Sequence, residues 1–363
     1  MIKLFKVKTP HNIGQKLEEV FTSGMITEGN YSDVFEHKLG NFLGNHNTAL
    51  VNSGTSALSL SYYASGIKAG DEVITTPMTC MATNEPLEIM GAKIVWADID
   101  PTTGNIDPAS VAKKVTNRTK AIVGVHWAGQ PFEIEEINNI ASNHGLKVIE
   151  DAAHALGASY NGETIGNHSD YVCFSFQAIK HLTTGDGGAI SCKTSEEYER
   201  LKRLRWFGLN RKYQGPKWEQ DITESGFKYH MNNINAAIGI EQMKDIDHVI
   251  SSHKKNGLFY DTYINNPKVK LLRRSNNIQS AHWIYSILVE NRDSFMEYMT
   301  KNEVQTDIVH LRNDRYTVFK KFASDSLPGC DEFCSKLVNI PVGWWLSESD
   351  RQRITNLVNN WKG

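Results

Sequence analysis

Cysteine is scarce: the 363 residues hold five, Cys80, Cys173, Cys192, Cys330 and Cys334. The number is odd and no CxxC pair occurs, which argues against a disulfide framework or a zinc ribbon. Cys330 and Cys334 fall on one face of a helix, but two thiols alone make a poor zinc site, so no metal is expected. Reduced thiols in a cytoplasmic protein are the expectation. Long apolar runs are missing as well: none reaches the length of a membrane span. The stretch Met1-Ile2-Lys3-Leu4-Phe5 opens no apolar segment ending in small residues, so it does not read as a signal peptide. An excess of charge of one sign is also absent. Lys and Arg number 39 against 41 Asp and Glu, a formal net charge of −2. That leaves no electrostatic footprint for nucleic acid. There is no internal repeat, low-complexity tract or Pro/Gly linker.

What remains is 40% hydrophobic and 22% charged, an ordinary globular composition. The length exceeds one simple core and fits a large domain plus a smaller one. Residues 48–52, 72–76, 93–97, 121–125 and 147–150 read as short apolar strands. Helical patterns at 56–64, near 84–90 and near 134–143 separate several of them. Residues 171–175 and 189–191 are close enough for a hairpin. Continuous apolar strands alternating with helices predict an α/β fold, a mostly parallel sheet covered by helices. The pattern changes near residue 245. A long helical stretch with Ile246 and Ile250 leads to an apolar run at 283–289, a helix near 295–299, a strand at 304–310 and a last helix from 347. The division is therefore a large domain at 1–245 and a smaller α+β domain at 246–363.

Three segments carry chemistry. The first is Phe174-Ser175-Phe176-Gln177-Ala178-Ile179-Lys180, followed by a turn ending in Gly187-Gly188. An isolated lysine is usually a solvated charge. Here apolar and aromatic flanks would desolvate the ammonium and favour the neutral amine, the form that attacks a carbonyl carbon. The second is Val148-Ile149-Glu150-Asp151-Ala152-Ala153-His154, an apolar strand ending in two acids. Ligands of α/β sheets bind beyond the carboxyl ends of strands. Asp151 there suits a helix cap, a metal ligand or a cofactor partner; His154 is a further partner or a packed histidine. The third is Val51-Asn52-Ser53-Gly54-Thr55-Ser56, a strand, a turn and a helix start. Such a start offers N–H groups to an anion, or is a plain Ser/Thr cap.

In this order and spacing the segments resemble the DegT/DnrJ/EryC1/StrS sugar aminotransferases, within the fold-type I, aspartate aminotransferase-like enzymes of pyridoxal 5′-phosphate (PLP). The likeness runs over nearly the whole chain. It takes in Ser23-Gly24-Met25-Ile26-Thr27-Glu28-Gly29, Gly70-Asp71-Glu72-Val73-Ile74 and Gly226-Phe227-Lys228-Tyr229-His230-Met231-Asn232. The resemblance implies that Lys180 carries PLP and moves protons. It implies that Asp151 faces the pyridine nitrogen, with His154 near the ring oxygen. Ser175, Gly54 and Thr55 then hold the phosphate, and the segment with Lys228 and His230 completes the site of a partner subunit in a homodimer. Cys80 stands where many relatives stack an aromatic residue on the ring. Lys228 and His230 also depart from the commoner Asn or Arg.

The implied reaction passes an amino group from glutamate to a nucleotide-linked keto-sugar, a 4-keto-6-deoxyhexose by resemblance. One alternative is a PLP-dependent sugar dehydratase, whose relatives carry histidine where Lys180 stands. The other is a PLP-binding regulator without turnover, for which no DNA-binding segment is present.

Overall fold

The computed structural model describes residues 1–322 and 326–363. Its strands are β1 (Thr48–Val51), β2 (Glu72–Thr75), β3 (Lys93–Trp96), β4 (Thr119–Val125), β5 (Lys147–Asp151), β6 (Ser159–Tyr160), β7 (Glu163–Thr164), β8 (Tyr171–Ser175), β9 (Gly188–Cys192), β10 (Val269–Leu271), β11 (Ile278–Gln279), β12 (Tyr285–Val289) and β13 (Leu337–Ile340). Seven form the main sheet in the order β1-β9-β8-β5-β4-β2-β3. β9 runs antiparallel to both of its neighbours, and the other pairings are parallel. The fold is thus α/β with a mostly parallel sheet. Strands such as β1 and β2 are buried at every position, as a sheet covered on both faces requires. Two large apolar clusters pack around it.

The predicted hairpin is present as β8 and β9, with Cys173 opposite Ile190 and Phe174 opposite Ala189. A second sheet, β10-β12-β13, has its own apolar cluster with the last helix, Glu348–Asn360. That helix starts where expected, because Ser347 caps it in a capping box with Asp350.

Residues 304–310 do not form the predicted strand. Val304 makes an isolated bridge with Ile2, and Asp307 makes one with Asn339. The Asn339 side-chain oxygen then accepts the Val309 N–H at 2.8 Å, so a side chain takes the donor that a backbone ladder would use. The helix expected near 84–90 begins earlier, at Met81, and ends at Ile89.

A buried charge cluster holds β1 in place. The Arg205 guanidinium is 2% exposed. It donates to Glu36 at 2.9 Å, to the Leu50 carbonyl at 2.6 Å and to Glu28 at 2.6 Å. Glu36 also accepts from the Leu50 N–H, Tyr198 and Lys202. Removing one partner of such a cluster leaves buried charge uncompensated. Arg205→Ala should therefore cost about 3–5 kcal/mol, read as a lowered urea midpoint; an unchanged midpoint would contradict this. Burial pushes the Glu36 carboxyl up, but the charges of Arg205 and Lys202 and the hydrogen bonds from Lys202 and Tyr198 overcome it and hold it at about 2. Because the folded value lies below that of the unfolded chain, this contribution is whole above the ordinary glutamate range. It is lost as pH falls toward 2.

Candidate functional site

The carboxyl ends of β1, β2, β5 and β8 open onto one cavity of about 350 Å³. Ser53, Gly54 and Thr55 line it after β1, Thr79 and Cys80 after β2, and Asp151 and His154 at and after β5. Ser175 closes β8, and Lys180 stands on the β8–β9 connection. Trp283 and His310 complete the wall from the C-terminal part of the chain. Gly54, Thr55, Cys80, Asp151, His154, Ser175 and Lys180 are thus brought together where a parallel sheet places its ligands.

Lys180 keeps some surface exposed to the cavity but is walled in by protein. Burial lowers its amine to about 8, against the opposing pull of Asp151 and Cys80. An amine in that range is far richer in its nucleophilic form near neutral pH than a solvated lysine.

Asp151 is 5% exposed and is the last residue of β5; a turn follows it, not a helix. The cap reading of Asp151 is therefore wrong. Its Oδ2 accepts from the Thr83 hydroxyl at 2.6 Å, and its Oδ1 accepts from the Ala153 N–H at 3.1 Å. Thr83 has one hydroxyl proton and gives it to Asp151, so the 2.7 Å contact between Thr83 and Thr79 must be donated by Thr79. The relay Thr79–Thr83–Asp151 aims a fixed carboxylate into the cavity.

The helix Gly54–Ala64 starts at the cavity wall. Ser53 caps it by accepting from the Ser56 N–H at 3.0 Å. The first N–H groups of a helix have no partner within it and favour an anion. A Cβ on Gly54 would sit 2.8 Å from the Ser175 Cβ, so only glycine lets the helix start approach the Ser175 hydroxyl this closely. His154 is 4% exposed, yet among the described residues neither ring nitrogen has a hydrogen-bond partner. Burial, then the Lys180 charge, holds it well below the ordinary histidine range. It is a neutral imidazole with an unused donor and acceptor. Buried polar groups are normally satisfied, so this one points to a ligand.

Lys228 and His230 are not among the residues lining this cavity. His230 bridges Val51, the last residue of β1. Lys228 is exposed, with its Nζ 3.2 Å from the centre of the Trp206 ring. Cys80 lies at the wall as the N-cap residue of the helix Met81–Ile89. Among the described residues no three His, Cys, Asp or Glu side chains are grouped to hold a metal, and no helix is long and apolar enough to cross a membrane. All five cysteines are free. Sequence reasoning missed Thr83, Trp283 and His310. Thr83 lies in the first turn of the helix Met81–Ile89 and Thr79 just before its N-cap Cys80, so helical spacing alone does not reveal their contact. Trp283 and His310 carry no local signal; only the tertiary fold brings them to Lys180.

Comparisons with known proteins give the family of the chain. The solved structure of AtS13 from Actinomadura melliaura is 36% identical and superposes with a TM-score of 0.96, covering 100% of this chain and 99% of that one. The sugar aminotransferase CalS13 from Micromonospora echinospora is 33% identical with a TM-score of 0.95, covering 99% and 100%. The spore coat polysaccharide biosynthesis protein SpsC of Bacillus subtilis is 39% identical over 238 residues, 64% of this chain and 61% of that protein. The sequence profile of the family matches residues 8–359. With nearly its full length matched, this chain belongs to the DegT/DnrJ/EryC1/StrS aminotransferase family.

Proposed function

We propose that the chain is a PLP-dependent sugar aminotransferase that carries an amino group from glutamate to a nucleotide-linked keto-sugar, a 4-keto-6-deoxyhexose, to give an amino sugar. The observation that carries this reading is the pairing, in one cavity, of a lysine amine lowered to about 8 with a buried, hydrogen-bonded carboxylate, Asp151. The residues present fit PLP. A Cβ on Gly54 would fill the approach to Ser175 where a phosphate would sit, and the orphaned His154 nitrogens supply a partner for a ring oxygen. When bound, PLP supplies an aldehyde carbon for an amine and a ring that takes up an electron pair.

In this reading Lys180 would hold PLP and move a proton at the donor's Cα. Asp151 holds a positive charge on the pyridine nitrogen. Ser175, Thr55 and the Gly54 N–H bind the phosphate, and Cys80 takes the wall position where relatives place an aromatic ring. Lysine at position 180 disfavours a sugar dehydratase, whose relatives carry histidine there. A panel of nucleotide-linked keto-sugars offered with glutamate should yield an amino sugar and 2-oxoglutarate. Loss of water from the sugar without nitrogen transfer would favour the dehydratase, and no turnover on any member would sink the reading.

We further propose a large cofactor-holding unit at 1–245, a smaller unit at 246–363, a cytoplasmic location and a homodimer with shared sites. The exposed Lys228, which does not line its own chain's Lys180 cavity, supports a role for Lys228 and His230 in the partner's site. Mixing Lys180→Ala with Lys228→Ala subunits should then restore activity, because one of the two sites in each mixed dimer is intact. Mixed dimers that form and stay inactive would refute the shared site.

A further inference from the structure

Among the described residues the Lys180 amine makes no hydrogen bond and no ion pair. Its Nζ lies instead 3.9 Å from the ring centre of Trp283, well inside the range of cation–π attraction. Trp283 is itself held on several sides. Its indole N–H donates to the carbonyl of Ile179, the residue before Lys180, at 2.9 Å. Its backbone N–H donates to Ala128 at 2.9 Å. The His154 ring lies parallel to it at 3.8 Å, and Phe5 packs at 5.2 Å. The side chain is 2% exposed. The indole is therefore a fixed surface, tied to the backbone that carries Lys180.

We propose that Trp283 is the positioning residue for Lys180, holding its amine against the indole ring whenever that amine is not joined to the cofactor. This rests on the reading of Lys180 as the amine that binds and leaves a carbonyl carbon. Such an amine must be free for part of each cycle. A lysine has four rotatable bonds and loses its aim when released. A carboxylate partner would fix the amine but would hold it firmly as a cation. An aromatic face attracts the cation more weakly, accepts no strong hydrogen bond and leaves the nitrogen free to take or give a proton. Asp151 and Cys80 act on the amine from other walls of the cavity, and His154 and His310 flank the indole as imidazoles that burial keeps neutral. The orientation of the amine therefore falls to Trp283.

Reductive methylation of the full-length, cofactor-free protein with ¹³C-formaldehyde tests this by NMR. The Lys180 methyl signal, identified by its absence in Lys180→Ala, should lie upfield of all other lysine methyl signals, because it sits over an indole ring. Trp283→Leu should return it to the common envelope, and Trp283→Phe should keep part of the displacement. The Lys180 titration midpoint should fall by about half a unit to one unit in Trp283→Leu, since burial remains while the attraction for the cation is lost. A Lys180 signal within the envelope of the unaltered protein would overturn the proposal, even if Trp283→Leu fails to fold. So would a displaced signal that Trp283→Phe and Trp283→Leu both leave in place. Cofactor attached to another lysine would remove the catalytic reading of Lys180 and leave this contact standing, so the two failures are distinguishable.

Discussion

Lys180→Ala should leave a folded protein with no measurable amino transfer. The amine makes no hydrogen bond that the fold needs, and its main contact is the face of Trp283. Truncation costs some packing, but no buried partner is left unsatisfied. The chemical loss is far larger. Proton transfer by a positioned side chain contributes roughly 10²–10⁴-fold, and the nucleophile toward the aldehyde is lost with it. Lys180→Arg should be as inactive as the alanine variant, because a guanidinium stays protonated and cannot act as an amine. Formation of 2-oxoglutarate from glutamate gives the rate, and the urea midpoint verifies the fold. Turnover above a tenth of wild type in either variant would contradict the assignment.

Asp151→Asn should give the second large loss. Asparagine keeps the shape of the side chain, and its oxygen still accepts a hydrogen bond from Thr83 or Ala153. The negative charge is gone. The carboxylate is 5% exposed, so its pull on a positive pyridine nitrogen would be screened little by water. Deleting comparable electrostatic groups costs about 10²–10³ in rate, and kcat should fall by that order while cofactor affinity weakens less. Asp151→Ala should lose both, since it also opens a hole and strips the Thr83 hydroxyl of its acceptor. Near-wild-type turnover in Asp151→Asn would show that the charge has no catalytic part. Helix capping no longer offers a rival explanation, because no helix starts at Asp151.

Most of the sheet was legible because its strands are buried on both faces and read as unbroken apolar runs. The Lys180 loop was legible for a related reason: an ammonium flanked by Phe174, Phe176 and Ile179 is costly unless it serves a purpose. Weakly partnered segments were not legible. Residues 304–310 have a strand-like sequence, yet the Asn339 side chain ends the ladder after one bridge. β13 (Leu337–Ile340) was missed because Asn339 interrupts its apolar run. At the site, residues just after a strand could be read from the strand. Trp283 and His310 lie more than a hundred residues beyond Lys180 in the chain, and nothing local marks them. Thr83 was hidden differently: its hydroxyl looks like any helix threonine until Asp151 is placed beside it. Lys228 and His230 were named only through resemblance, and within one chain they do not line the cavity.

The central claim is that Lys180 holds the cofactor. Purified protein supplied with PLP should be yellow, and borohydride should bleach it while fixing the cofactor to the chain. Peptide mapping by mass spectrometry then reads the attachment point. The account predicts a single phosphopyridoxyl group, on the peptide that contains Lys180. The same group on any other lysine, or a yellow protein that borohydride bleaches without modifying Lys180, would contradict it.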